Sequence, residues 1–208
     1  MQSHALGLYV VASLALIATP GQDMIYVITR SLAQGRFAGL CSALGVSLGI
    51  LVHTALAALG VGAILMASES LFVLLKLAGA AYLVYLGIRM LLARDAARID
   101  TAARTRLAPL ALVWQGVLSN VTNPKIVLFF FAFLPQFVDP ASTHPTRDMA
   151  FLGVLYAALA LPVKSAVGLA AGSLSERVLS HPRALLWMNR VSGGVLIALG
   201  LRLAAADR

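Results

Sequence analysis

Residues Phe37 to Ser68 read FAGLCSALGVSLGILVHTALAALGVGAILMAS, a run with no acidic or basic side chain other than His53. About 20 apolar residues in helical form cross the hydrocarbon core of a bilayer. This stretch therefore reads as a transmembrane helix, and the rest of the chain repeats its character. Met1 to Gln22 carries no charge, and Asp23 is the only one as far as Ile28. Ser70 to Ile88 holds only Lys76, Leu107 to Val138 only Lys125, and Met149 to Ser175 only Lys164. Leu185 to Ala206 forms a last apolar run, broken by Arg190 and Arg202. The segments are continuously apolar rather than alternating, which argues against a barrel. The expected fold is an all-α integral membrane protein with six transmembrane helices, near 5–28, 40–66, 70–92, 110–137, 149–173 and 186–205.

Composition agrees. Of 208 residues, 60% are hydrophobic and 12% charged, and mean hydropathy is +0.89. That charged share is about half the usual globular value. The apolar material suffices for about six spans. Soluble enzymes, DNA binders and secreted disulfide scaffolds are set aside on this ground. The lone Cys41 excludes a disulfide framework, a CxxC redox pair and a cysteine zinc site. No Walker A loop, HExxH or GxSxG is present. An enzyme is not expected, nor is a cofactor.

The net charge of +8 points to basic loops on the cytoplasmic side rather than to nucleic acid. One side of the membrane receives Arg30, Arg36, Arg89, Arg94, Arg98, Arg104, Arg106, Arg177, Arg183 and Arg190. The other receives Arg147, Arg202 and Arg208. Ten against three makes the first side cytoplasmic and puts both termini outside. No Lys or Arg precedes Arg30, so the first helix lacks the basic start of a signal peptide. The chain reads as one transmembrane domain: a first repeat at about 5–92, a cytoplasmic linker at about 93–109, and a second repeat at about 110–205. The Arg/Asp mixture of the linker suits a solvated or amphipathic segment.

The two halves resemble each other. Leu86-Gly87-Ile88-Arg89 matches Leu199-Gly200-Leu201-Arg202, and the same register lays Ala80-Ala81 over Gly193-Gly194. The first and fourth spans each carry a proline in a polar break, Thr19-Pro20-Gly21-Gln22-Asp23 and Thr122-Asn123-Pro124-Lys125. Halves of three spans each must run in opposite senses. Inverted repeats with broken helices in corresponding places point to a transporter site.

Proline removes a backbone donor and disfavours helix in the residue before it. In lipid the freed carbonyls need partners, so such breaks survive where they are buried or line a cavity. A helix restarting after each break turns its positive end to the site and suits a carboxylate. A packing kink is the plainer alternative. Asp23 is the one acid within an expected span, and an intramembrane carboxylate is a functional candidate by default. It can hold a substrate ammonium, carry a proton, or cap the restarted helix. Lys125 and Lys164 can pair with Asp23, contact a substrate carboxylate, or snorkel to an interface. Lys76, close to the end of its span, is expected to snorkel. His53 can relay protons, or can be a histidine bonded within the bundle. Gln22, Asn120, Asn123, Thr19 and Thr54 can bond substrate or backbone. Gly45-x-x-x-Gly49 and Gly168-x-x-x-Gly172 permit close helix contact, within the chain or between two copies in a homodimer.

The stretches Ala18-Thr19-Pro20-Gly21-Gln22-Asp23, Ser31-Leu32-Ala33-Gln34-Gly35 and Lys76-Leu77-Ala78-Gly79-Ala80-Ala81-Tyr82-Leu83 resemble the LysE/RhtB family of amino-acid exporters. So do Asn123-Pro124-Lys125 and Phe130-Phe131-Ala132-Phe133-Leu134-Pro135-Gln136-Phe137. The likeness covers essentially the whole chain, with order and spacing matched. It implies a multi-pass protein of the bacterial inner membrane. The implied activity is secondary, proton-driven export of amino acids or close derivatives. The family's first break usually reads Pro-Gly-Pro, often followed by an acid or amide. It maps onto Pro20, Gly21 and Asp23, with Gln22 in place of the second proline. Such a break is less rigid, or offers a side-chain amide to substrate. The second break maps onto Asn123, Pro124 and Lys125 without departure.

The motif wording resembles the RhtB branch, which handles mainly neutral amino acids such as threonine, homoserine or leucine. One anion and three cations within the spans also disfavour a doubly basic substrate. The expected site comprises Pro20, Gly21, Gln22, Asp23, His53, Asn123, Pro124, Lys125 and Lys164, with amino-acid substrate, protons and lipid as partners. Two alternatives stay open: export of another small metabolite or drug, and a membrane interaction protein that transports nothing.

Overall fold

The computed structural model describes residues 3–61, 69–92, 106–139, 142–173 and 182–205. Most of the linker, with Arg94, Arg98 and Arg104, lies outside the described residues, as do Arg177 and Arg208. Among the described residues there are eight α-helices and no strand. We number them α1 (Ser3–Ala18), α2 (Gln22–Gln34), α3 (Arg36–Leu56), α4 (Glu69–Leu92), α5 (Pro109–Val121), α6 (Pro124–Leu128), α7 (Pro145–Ser173) and α8 (Pro182–Ala205). A π-helical turn, Ala57–Val61, prolongs α3, and α6 continues through a π-helical turn, Phe129–Phe133, into a 3-10 turn, Leu134–Phe137.

Two stretches are long and apolar enough to cross a membrane as single helices, Arg36–Gly60 and Pro145–Ser173. Two more qualify as bent pairs: Leu6–Ala18 with Gln22–Gln34, bent by 50°, and Pro109–Val121 with Pro124–Phe137, bent by 54°. Both bends fall at the proline-bearing polar breaks, as expected. The first pair runs on to Gln34, beyond the boundary expected from its charges. Arg30 does not end the helix, because its guanidinium donates to Gln115 Oε1 on α5 (2.9 Å). The chain turns instead at Gly35, whose φ of 88° and ψ of −179° suit only a residue without a side chain.

With no hydrophobic force between helices in lipid, close packing of small residues holds such a bundle together. Here the glycines occupy the seams. A Cβ on Gly39 would lie 3.0 Å from Gly168 Cα, and one on Gly153 would collide with Thr54, so α3 and α7 run antiparallel. Gly45 abuts Val113, and Gly49 abuts Val117 and Asn120, so α3 and α5 run parallel. Gly172 abuts Arg36 and Ser31. Both GxxxG pairs are thus used within the chain. In α4 and α8, a Cβ on Gly87 would meet Gly193 O at 2.6 Å and one on Gly193 would meet Gly87 O at 2.6 Å. Gly200 sits likewise against Ala80 O, at 2.8 Å. These helices are antiparallel, and the residues matched in sequence (80 with 193, 87 with 200) are the ones that meet crosswise.

An aromatic cluster fills the centre. The Phe129 ring lies 4.9 Å from Tyr156, 5.1 Å from Phe133 and 5.9 Å from Phe130, and Tyr9 reaches Phe137 at 5.1 Å. Tyr9 also donates to Leu152 O (2.7 Å), tying α1 to α7. Large apolar side chains such as Val11, Phe37, Leu74, Trp114 and Phe151 point outward, as lipid-facing surface requires.

Candidate functional site

The first break follows from its residues. α1 ends at Ala18 because Pro20 cannot continue it, and the Thr19 hydroxyl donates back to Ala15 O (2.8 Å). Gly21 stands before α2 in extended conformation, with no side chain capping the helix. Asp23 therefore does not cap; it lies within the first turn of α2, buried at 2% exposure. A negative charge there complements the helix dipole. The second break is capped by Asn123, whose Oδ1 accepts from Lys125 N (3.1 Å), with Pro124 as the first helical residue.

The two breaks face each other. Lys125 Nζ donates to Thr19 O (3.1 Å) and Leu16 O (3.3 Å) at the end of α1, where Leu16 O also accepts from Thr19 N (3.2 Å). Gly21 leaves room for it: a Cβ there would stand 3.2 Å from Nζ. Gln22 Nε2 donates to Thr122 Oγ1 (3.2 Å), so the residue replacing a second proline adds a side-chain bond between the breaks. Asn120 Nδ2 donates to Asp23 Oδ2 (2.8 Å). This amide orientation follows from chemistry, because a carboxylate only accepts. Lys164, on α7, places Nζ 3.9 Å from the same Oδ2. It is an ion pair longer than a direct hydrogen bond.

His53 Nε2 lies 3.2 Å from Asn120 O. A carbonyl accepts only, so His53 carries a proton on Nε2. Its ring is also 5.9 Å from Phe130, which in turn meets Tyr156 at 5.5 Å. All the charged and amide members are buried: Asp23, His53, Asn120, Asn123, Lys125 and Lys164. Among the described residues, Asp23 Oδ1, Asn120 Oδ1, His53 Nδ1 and Tyr156 OH make no hydrogen bond. Buried polar groups are usually paired, and these remain without a partner beside the facing breaks, as does Asn123 Nδ2. Lys76, expected to snorkel, is instead buried. Beside Thr19, an apolar groove of about 480 Å³ opens between α1 and α8, lined by Ala15, Ala18, Trp187 and Val191 among others.

Of the nine expected residues, the structure gathers Gly21, Asp23, His53, Asn123, Lys125 and Lys164 around the facing breaks, with Gln22 linking them and the two prolines making them. Two further groups stand outside the expected site: Asn120, which the sequence offered only as a polar residue able to bond substrate or backbone, and Tyr156, which it did not offer at all. Asn120 joins Asp23 to His53, and an amide within an apolar span was its one signal. Tyr156 resembles any core aromatic in the sequence, and only its unbonded hydroxyl sets it apart.

Apolar helices, two of them broken and meeting at buried charges, define a membrane translocator. The comparisons agree. The family model for the LysE type translocator matches residues 14–207. An uncharacterized membrane protein of Vibrio cholerae is 31% identical over 99% of both chains. A homoserine/homoserine lactone efflux protein of Salmonella typhimurium is 30% identical over 95% of each. A leucine efflux protein of Salmonella choleraesuis is 30% identical over 65% of this chain and 64% of its own. No solved structure matches. The chain belongs to the LysE family of translocators, which are transporters rather than enzymes, and the resemblance seen in its motifs holds.

Proposed function

We propose that this protein is a secondary active exporter of neutral amino acids, threonine-, homoserine- or leucine-like, across the bacterial inner membrane. The supporting observation is the meeting of the two breaks, with Asp23 bonded to Asn120 beside two buried lysines. Asp23 attracts the substrate ammonium. The positive N-terminal end of α2 and the lysines attract its carboxylate. Relatives named for homoserine and leucine efflux support a neutral substrate.

In this proposal α4 and α8, 24 residues each and so about 36 Å long, complete six spans in one domain. The crosswise glycine contacts of α4 with α8 support two inverted three-helix halves, as do the opposed directions of α3 and α7. Substrate passes by alternating access between these halves. The excess of arginines near the ends of α2, α4 and α5 supports a cytoplasmic face there, with both termini outside. Protonation of Asp23 couples efflux to the proton gradient. The apolar groove beside Thr19 is the one feature favouring a second reading, export of an amphipathic drug or metabolite.

The test is efflux from vesicles preloaded with labelled amino acids and, separately, with amphipathic cations. Wild type should export a neutral amino acid, and Asp23→Asn and Lys125→Ala should not. Unchanged efflux in both variants overturns the site.

A further inference from the structure

Resting on the amino-acid export reading, the geometry points to Tyr156 and His53 as the pair that reads the substrate side chain. Together they favour a side chain ending in a hydroxyl over an aliphatic one of the same shape. Three observations carry this.

First, the Tyr156 hydroxyl has no partner among the described residues. The residue is 1% exposed, with its ring packed on Phe129 at 4.9 Å and Phe130 at 5.5 Å. Tyr9, in the same cluster, shows the usual arrangement: its hydroxyl donates to Leu152 O (2.7 Å). Packing alone asks for no hydroxyl at position 156, and the neighbouring rings of Phe129 and Phe130 do without one.

Second, a complementary group lies across the same ring. Phe130 also meets the His53 ring, at 5.9 Å. His53 Nε2 donates to Asn120 O (3.2 Å), so in the neutral ring Nδ1 can only accept, and it too is buried without a partner. The helices touch here: Thr54, next to His53 on α3, abuts Gly153, three residues before Tyr156 on α7. Both groups stand within electrostatic reach of Asp23, where the substrate ammonium is placed.

Third, a hydroxyl answers both groups at once. It has one hydrogen to donate and lone pairs to accept. It donates to His53 Nδ1 and accepts from Tyr156 OH. A methyl group of the same size gives neither bond and leaves both protein groups unpaired, so an aliphatic amino acid is carried more weakly rather than excluded. Sites that bond a substrate hydroxyl discriminate against its absence far better than apolar pockets discriminate by size. Nothing here depends on the carboxyl end of the substrate. Lys125 keeps Leu16 O and Thr19 O whether that end is a carboxylate or a lactone.

The experiment measures protein-dependent efflux from vesicles holding the full chain, preloaded with labelled homoserine or labelled norvaline. These differ only in a terminal hydroxyl against a methyl group. Wild type should export homoserine at least tenfold faster at equal, subsaturating load, about the worth of pairing buried polar groups. In Tyr156→Phe, which keeps the ring, the ratio should fall to within a fewfold of one. Phe129→Leu alters packing beside Tyr156 and should leave the ratio near wild type. A wild-type protein that exports norvaline as fast as homoserine overturns the proposal, whatever Tyr156→Phe does to folding. So does a Tyr156→Phe protein that keeps the wild-type ratio, or a Phe129→Leu protein that loses it to the same extent. If wild type exports no amino acid, the export reading falls and this proposal with it. Amino-acid export with a ratio near one removes the side-chain pair alone.

Discussion

Lys125, on the second broken pair of helices, donates from Nζ to the carbonyl oxygen of Thr19 on the first, 3.1 Å away. One side chain thus satisfies a carbonyl that Pro20 helps to free and joins the two polar breaks. Lys125→Met should lower stability by about 1–3 kcal/mol, the usual cost of unpaired buried polar groups. Thermal unfolding in detergent measures it, and an unchanged melting temperature would count against this joint.

Asn120 holds Asp23 through a 2.8 Å bond and receives His53 on its carbonyl. Asn120→Ala removes only the first contact. We expect it to reduce efflux at least tenfold, since a lost bond to a charged group is worth about 1.5–3 kcal/mol. Gly49→Ala should act in the same direction, because the new methyl would stand 2.7 Å from Asn120 Cβ. Efflux assays on matched amounts of inserted protein check both.

His53 has a bonded Nε2 and an unbonded Nδ1. His53→Gln can keep a donor toward Asn120 O, and His53→Leu cannot. If the ring serves packing and that bond alone, Gln should export near wild type and Leu should be less stable by about 1 kcal/mol. Loss of efflux in a stable, well-inserted Gln variant would reveal a proton-relay role.

Gly35 is the one described residue with positive φ, at 88°. Gly35→Ala should destabilise by about 1–3 kcal/mol, although no atom lies near enough to obstruct its Cβ. Thermal unfolding checks this, with Gly7→Ala, likewise unobstructed, as the control.

Gly87 and Gly193 face each other across α4 and α8, while Gly194 meets nothing within 4 Å. Gly87→Leu should force the helices apart and lower both yield and melting temperature. Gly194→Leu should leave both near wild type. Equal effects from the two would refute the packing described for this seam.

The membrane character, four of the apolar segments and the break positions were legible in the sequence because each is local. A charge-free run is expensive in water and comfortable in lipid wherever it lies, and a proline stops a helix through its own ring and its missing N–H. Asp23, Lys125 and Lys164 stood out for the same reason: a charge inside an apolar run must be explained. Their partners were not legible, because hydrogen bonds across a bundle depend on which helix faces meet. Sequence left Lys125 and Lys164 equivalent; packing gave one to the carbonyls of Leu16 and Thr19 and the other to Asp23. It left the GxxxG pairs open between intrachain and intermolecular use, and packing spent them inside the chain. Sequence alone determined where the apolar runs, breaks and intramembrane charges lie, from solvation and backbone sterics. Tertiary structure alone decided how those charges are paired, since only close approach of distant helices brings donor to acceptor.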